Sequence, residues 1–536
     1  MLRAPMSSNP TMPSARDPRA SLPRLDRHVP KGGAVRPSKL SRRRAWVLIA
    51  VHVVIGLHLW HWLATGTSVT PVEPSEAMQT FEEGRINAGF VLFLVLIAST
   101  LVFGRFFCGW ACHVVALQDL AAWLLAKLGW KPKPVRSRLL VLVPWVVAGH
   151  MFVWPHVQHW LGQRELPPPA SWEWAMTTDD LWKTFPGPIM AVGTLLVVGG
   201  LCVWWLGAKG FCTYGCPYGA FFAVADRVAP VRIKVTDACN ACGHCTHVCT
   251  SNVRVHEEVA MYGKIVDPGC MKCLDCVSVC PKDALYVGLA APQPFAVSQQ
   301  RITARADFSW PEEFALAAVA LVATEWTFRG AWFGEGVPFL MAVGLGVITA
   351  VFALLLWRTV RRPEMTFQHT VLRQGGRWTK AGRWVAVGAA LWVALAAHTF
   401  VAQRLKASAK DEAAAPLRMR LNERQDVPGP VLAAAHDAAD RALGWDLVDD
   451  PELLQIRGLL RRELGRHDEA EADLRRAVAK FPRLEYAATA LAIYRMRAGD
   501  LDEAEALAKD VLARHADNPT AQAILQQIER QRGQGR

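Results

Sequence analysis

Eight of the 13 cysteines in this chain fall into two runs of identical spacing. The first reads Cys239-x2-Cys242-x2-Cys245-x3-Cys249. The second, after 20 intervening residues, reads Cys270-x2-Cys273-x2-Cys276-x3-Cys280, with Pro281 behind it. Two-residue gaps let a short turn aim three thiolates at one cubane, while the fourth thiolate of each run crosses to the other. Cys239, Cys242, Cys245 and Cys280 are therefore expected to hold one [4Fe–4S] centre. Cys270, Cys273, Cys276 and Cys249 are expected to hold a second. Zinc also uses Cys-x2-Cys pairs, but two tight sets of four, the second ending in Cys-Pro, form the iron–sulfur pattern. Thr250 stands where proline would follow the first run and removes no ligand. Centres of this type call for a reducing compartment, and a disulfide scaffold is excluded by so few cysteines over 536 residues.

Elsewhere the chain separates into apolar and basic blocks. It is 52% hydrophobic with a formal charge of +13, and its mean hydropathy is +0.14. These values fit together only if apolar residues and charges are segregated, which excludes a single soluble globular enzyme. Seven segments, near 45–65, 87–107, 139–160, 187–207, 311–329, 336–357 and 383–403, approach the ~20 apolar residues a bilayer crossing needs. Residues 1–44 hold nine Arg and two Lys against two Asp and read as a disordered basic tail. Arg42, Arg43 and Arg44 abut the first apolar run, so the charge marks orientation and not nucleic-acid binding. Basic loops at 113–138 and 358–383 alternate with acidic loops at 66–86 and 161–186. By the positive-inside rule the N-terminus and the cysteine module are then cytoplasmic, and the C-terminus lies beyond a bacterial inner membrane.

Two further cysteine pairs end the second and fourth apolar segments. They are Cys108 and Cys112, in Phe107-Cys-Gly-Trp-Ala-Cys, and Cys212 and Cys216, in Phe211-Cys-Thr-Tyr-Gly-Cys-Pro. The offset is 104 residues, shared by Ala116 and Ala220, so the first four segments look duplicated. Brought together, the pairs would supply four sulfurs for redox or cluster contact; the alternative is two reduced structural pairs. Cys202 stands alone inside an apolar run and reads as core. His58 and His61 in the first segment, and His156 and His159 in the third, are candidate proton acceptors for quinol or axial ligands for a b-type haem. The alternative is interfacial histidine beside tryptophan. Glu325, near Arg329, is a weaker candidate for intramembrane proton handling.

After residue 403 the composition changes again. Gly465 and Gly499 are 34 apart, as are Ala470 and Ala504, within matching text. A period of 34 with glycine and then alanine five residues on is the tetratricopeptide pattern of stacked helix pairs. The layout is thus a 1–44 tail, a 45–230 four-span membrane domain, a 231–300 two-cluster ferredoxin, three further spans over 311–403, a 404–430 linker and a 431–536 repeat domain. The fold class is mainly α: a polytopic helical membrane protein with an inserted α+β ferredoxin module and an α-helical repeat region.

Short Cys-x3-Cys elements ending two apolar segments, followed by a two-cluster ferredoxin, resemble the membrane polyferredoxins of the NapH/NosR type. Phe106-Phe107-Cys108-Gly109-Trp110, with Ala116-Leu117-Gln118-Asp119 behind it, carries the resemblance, which covers roughly residues 45–290. The cytochrome oxidase accessory ferredoxins are related. In the family each pair ends in Cys-Pro; Cys216-Pro217 conforms, and Cys112 is followed by His113. The resemblance implies a membrane-bound electron-transfer protein or quinol dehydrogenase within a larger redox complex. It would join the quinone pool, or a cytoplasmic donor, to an extracytoplasmic protein docked on the repeats. The second function class is an assembly factor that reduces copper or a thiol while the repeats hold the client.

Overall fold

The computed structural model describes residues 35–181, 188–296, 307–332, 337–421, 426–515 and 517–534. The molecule is mainly helical and forms two compact units, one of residues 1–185 and 198–313, the other of 186–197 and 314–536. Of the expected 1–44 tail, residues 1–34 lie outside the described residues. Residues 39–44 are not disordered but begin the helix Lys39–Thr65, whose N-terminus is capped by Ser38 accepting from the Ser41 N–H at 3.0 Å.

Among the described residues, four helices are long and apolar enough to cross a membrane: Lys39–Thr65, Ile189–Leu206, Phe339–Arg361 and Lys380–Arg420. A fifth arises if the pair Leu140–Phe152 and Trp154–Trp160, bent by 43°, counts as one. The seven expected segments are corrected accordingly, and chain breaks explain the difference. Segment two stops at Phe103, because Gly104 adopts φ +68 and a Cβ there would lie 2.3 Å from Asp226. Its 16 helical residues reach about 24 Å, short of the ~30 Å hydrocarbon core. Segment three bends where Val153 meets Pro155, whose ring cannot continue the preceding helix. Segment five, Trp310–Val322 continuing as a π-turn over Ala323–Phe328, carries Glu312, Glu313 and Glu325. Glu325 pairs with Arg329 at 3.0 Å.

In the first unit, residues 231–290 form the ferredoxin module. The strands Val231–Val235 and Leu285–Leu289 pair antiparallel from Val231–Leu289 to Val235–Leu285. Between them Ile233, Val253, Val255, Val259, Ile265 and Leu285 pack into a small core that includes Cys270 and Cys276. In the second unit, a three-stranded antiparallel sheet (Met365–Phe367, Thr370–Gln374, Arg377–Trp378) lies inside the second basic loop.

The expected 404–430 linker is also corrected. Lys380–Leu421 is one helix of 42 residues. Ala402, Lys406, Ala409, Ala413 and Leu417 are buried along one stripe of it, at the spacing of a single helix face. Ala409 joins a core with Leu453, Leu454, Leu474 and Leu491, and Ala413 and Leu417 join another with Leu432 and Leu460. Lys406 reaches Asp446 at 2.9 Å. The helix therefore serves as the first member of the repeat stack, ahead of Gly429–Trp445, Pro451–Glu463, His467–Lys480, Glu485–Arg497, Leu501–Arg514 and Pro519–Gln534.

Candidate functional site

The cysteine loops of the ferredoxin repeat at an offset of 31 residues, which carries Cys239 onto Cys270 and Cys249 onto Cys280. Backbone conformation repeats with it. Ala241 (φ 53) matches Lys272 (φ 49), Gly243 (φ 81) matches Leu274 (φ 65), and Asn252 (φ 62) matches Asp283 (φ 46). Left-handed residues are costly for side chains such as Leu, and they curl successive N–H groups inward as an anion-binding nest. Cys239, Cys242, Cys245 and Cys280 line one pocket. Cys249 lies instead with Cys273 and Cys270; burial pushes its thiol up, with those two adding. Burial pushes Cys273 up to about 12, with Asp275 adding and Arg44 opposing. Among the described residues, no three or more His, Cys, Asp or Glu gather as a single metal ion would need. These cysteine loops fit 4Fe–4S binding, and the group would supply one-electron chemistry when bound.

The two Cys-x3-Cys pairs occupy equivalent corners. Cys108 lies in the helix Phe106–Trp110, and Cys112 caps His113–Lys127. Cys212 lies in Gly210–Tyr214, and Cys216 caps Pro217–Val228. The Cys112 N–H donates to the Phe107 carbonyl at 3.2 Å, and the Cys216 N–H donates to Phe211 at 3.0 Å. Losing proline at 113 thus leaves the backbone of the first pair like that of the second. His113 instead reaches Glu73 at 3.5 Å.

All four sulfurs converge. Arg105 hydrogen-bonds Cys108 and lies beside Cys216 and Cys212, and the Gln118 amide donates to Cys212 Sγ at 2.9 Å. Burial pushes Cys212 up to about 11, with Lys209, Gln118 and Arg105 partly opposing. Burial pushes Cys216 up to about 12, with Cys212 adding, and raises Cys112 well above the ordinary thiol range, with Cys212, Cys108 and Cys216 adding. Cys108 and Cys212 are buried and Cys112 and Cys216 half-buried, so the group forms a sulfur-rich corner beside the second cysteine loop.

This group is stitched to the second cysteine loop. The Trp110 indole donates to the Lys272 carbonyl at 3.0 Å, and Arg105 donates to the Pro268 carbonyl at 3.1 Å. Gly109 is required there, since a Cβ would sit 2.2 Å from the Met271 carbonyl. Asp226, fully buried, takes Lys272 at 2.6 Å and Arg232 at 2.8 Å. Arg44 bridges Asp119 at 3.0 Å and Asp275 at 3.4 Å. Sequence reading missed Arg44, Arg105, Lys209 and Asp226. The same 104-residue offset that relates the cysteines also relates Arg105 to Lys209, and it was the signal available.

The four candidate histidines are not brought together. His58 donates to the Val69 carbonyl at 2.9 Å, and His61 lies 3.1 Å from Ser68 Oγ. His159 donates to the Arg164 carbonyl at 3.0 Å. His156 meets Phe81 edge-on at 6.1 Å. Each serves its own loop, and these contacts do not join the two pairs into a quinol or haem site.

The family described as "4Fe-4S binding domain" matches residues 88–131 and 189–236, the two halves that carry the Cys-x3-Cys pairs. That described as "4Fe-4S dicluster domain" matches 238–285. The chain is similar in these regions to ferredoxin-like 4Fe–4S proteins of the NapH/MauN type. Its C-terminal region matches the tetratricopeptide repeat over 461–528. The ferredoxin-type protein NapH of Haemophilus influenzae is 28% identical over 205 residues, 35% of this chain and 62% of that protein. The methylamine utilization ferredoxin-type protein MauN of Methylorubrum extorquens is 28% identical, over 35% of this chain and 66% of that protein. NapH of Escherichia coli is 26% identical, over 41% of this chain and 75% of its own length. The chain thus spans somewhat under two thirds of the first two relatives. The putative electron transport protein YccM of Escherichia coli is also similar, at 22% identity over 44% of this chain and 71% of that protein.

Proposed function

We propose that this NapH/MauN-type protein exchanges single electrons at two [4Fe–4S] centres and links a quinone pool, or a cytoplasmic donor, to an extracytoplasmic respiratory partner. Cys239, Cys242, Cys245 and Cys280 would hold one centre, and Cys270, Cys273, Cys276 and Cys249 the other. The observation that supports this reading is the contact between the second cysteine loop and the four convergent sulfurs: Gly109 against Met271, and Trp110 on Lys272. A gap of ~30 Å of hydrocarbon is too wide for direct transfer. Electrons would therefore enter on the side of the second cysteine loop. The repeat region would hold the partner, as stacked helix pairs do. Purified, cluster-loaded protein mixed with reduced quinol should show cluster reduction by electron paramagnetic resonance.

A second reading has one observation in its favour. Soft sulfur ligands select ions such as Cu(I), and Cys108, Cys212 and Cys216 lie beside Arg105. The protein would then reduce copper or a thiol for a client enzyme. No cluster reduction by any quinol, together with stoichiometric Cu(I) binding lost in Cys108→Ser/Cys212→Ser, would establish this reading over the first.

A further inference from the structure

Within the first unit a cavity of about 370 Å3 opens beside the start of the bent pair Leu140–Phe152 and Trp154–Trp160. That volume lies within the ~300–1,000 Å3 of small-ligand pockets. Val141, Pro144 and Trp145 give it an apolar wall where a candidate membrane segment begins. Cys212 borders it from the four-sulfur group, and Met271 from the loop between Cys270 and Cys273.

Three donor atoms on lining residues lack a partner: Arg105 Nε, Arg136 Nη2 and Ser251 Oγ. Arg105 and Ser251 are 6% and 5% exposed, so water does not freely satisfy them, and buried donors left unmade cost free energy. Arg136 is otherwise held by Asn252, which accepts from its Nε at 2.9 Å. Burial, with the adjacent Arg254 adding and Asp307 and Glu257 opposing, brings it down to about 10. The cavity also carries carboxylates. Glu258 accepts from the Val266 and Asp267 N–H groups, and Asp267 accepts from Gly269. Acids among the arginines disfavour a multiply charged anion such as a phosphate headgroup. They suit a neutral ligand with acceptor oxygens, one that arrives through the membrane and works next to redox-active sulfur.

We propose that this cavity binds the headgroup of a quinone. Its ring would lie against Trp145, and its carbonyl oxygens would take the free N–H groups of Arg136 and Arg105. This rests on the electron-transfer reading above and places its lipid-soluble substrate. It gives that role to this cavity in place of His58, His61, His156 and His159, and seats the quinone next to Cys212.

The test uses full-length, cluster-loaded protein in detergent. Binding of a short-chain ubiquinone and of menadione is measured by calorimetry for the wild type, for Ala223→Trp, which fills the cavity, and for Arg136→Met. Iron content and dithionite-reduced spectra serve as fold controls. At least tenfold weaker quinone binding in both variants, with iron content unchanged, is the expected result. If Ala223→Trp loses iron, Arg136→Met alone decides. Unchanged quinone affinity in the variants, with quinol still reducing the clusters, overturns the site and leaves the electron-transfer reading standing. Quinone binding by neither wild type nor variants, with no reduction by quinol, overturns both. Cavity-dependent binding of short-chain phosphatidylglycerol, without quinone binding, makes it a lipid site and also overturns the proposal.

Discussion

At the scale of single residues, the second cysteine loop differs from the first in what surrounds it. Cys239 is exposed, whereas Cys270, Cys273 and Cys276 are buried beneath Arg44, Lys272 and Arg105. Arg44 is the most informative of these. It lies 4% exposed in the first turns of Lys39–Thr65, with two of its nitrogens unpartnered. It also sits close enough to Cys273 to oppose the rise in that thiol's pKa. A fixed buried cation favours the more negative, reduced form of a centre held there. Arg44→Gln is therefore expected to lower the potential of the second centre by tens of millivolts, with less change in the first. Arg44→Lys should restore most of it. Redox titration followed by electron paramagnetic resonance separates the two centres. An equal shift in both, or none, would show that Arg44 only anchors the helix to Asp119 and Asp275.

The elements show which features a linear reading reaches. The ferredoxin loops were legible because their ligands lie a few residues apart, so spacing alone encodes the turn. The repeats were legible because a 34-residue period is carried by small residues at fixed stations. The partners of the Cys-x3-Cys pairs were not. Arg44, Asp119, Asp226 and Lys272 come from four distant stretches, and only folding assembles them. Span counting overshot because hydropathy adds up apolar residues without weighing Gly104 or Pro155, which end or bend helices. The residues after 403 deceived for another reason. An alanine-rich polar stretch lacks the large apolar stripe that marks a packed helix, yet alanine has the highest helix propensity and lets neighbours approach closely. Ala409 is fully buried against Leu453 and Leu454. Ala409→Asp would place an unpaired charge there and is expected to cost about 3–5 kcal/mol locally. It should expose 404–430 to proteolysis and leave iron content unchanged. Resistance equal to wild type would mean that the long helix does not support the repeats.

For the whole molecule, the remaining question is which side each part occupies, and charge answers it only through the helices that do cross. Lys39–Thr65 follows a strongly basic stretch, so its N-terminal end belongs inside. The ferredoxin is tied to that same end, because Ser38 donates to Asp275 at 2.7 Å and the Lys39 N–H donates to Ser278 at 2.9 Å. The iron–sulfur module is therefore held on the side of the basic N-terminus whatever the number of later spans. Within the second unit, Phe339–Arg361 ends in Arg358 and Arg361 and leads into a sheet-bearing loop with Arg362, Arg373 and Arg377. Lys380–Leu421 then starts from Lys380 and Arg383. By the positive-inside rule both basic ends are expected on the inner side, and the far end of the long helix, with the repeat stack, on the outer side. Alkaline phosphatase fused after residue 534 should be active, and fused within 290–296 inactive. Activity at both points, or at neither, would break this topology and return the repeat region to the compartment of the iron–sulfur centres. Its partner would then have to be sought there.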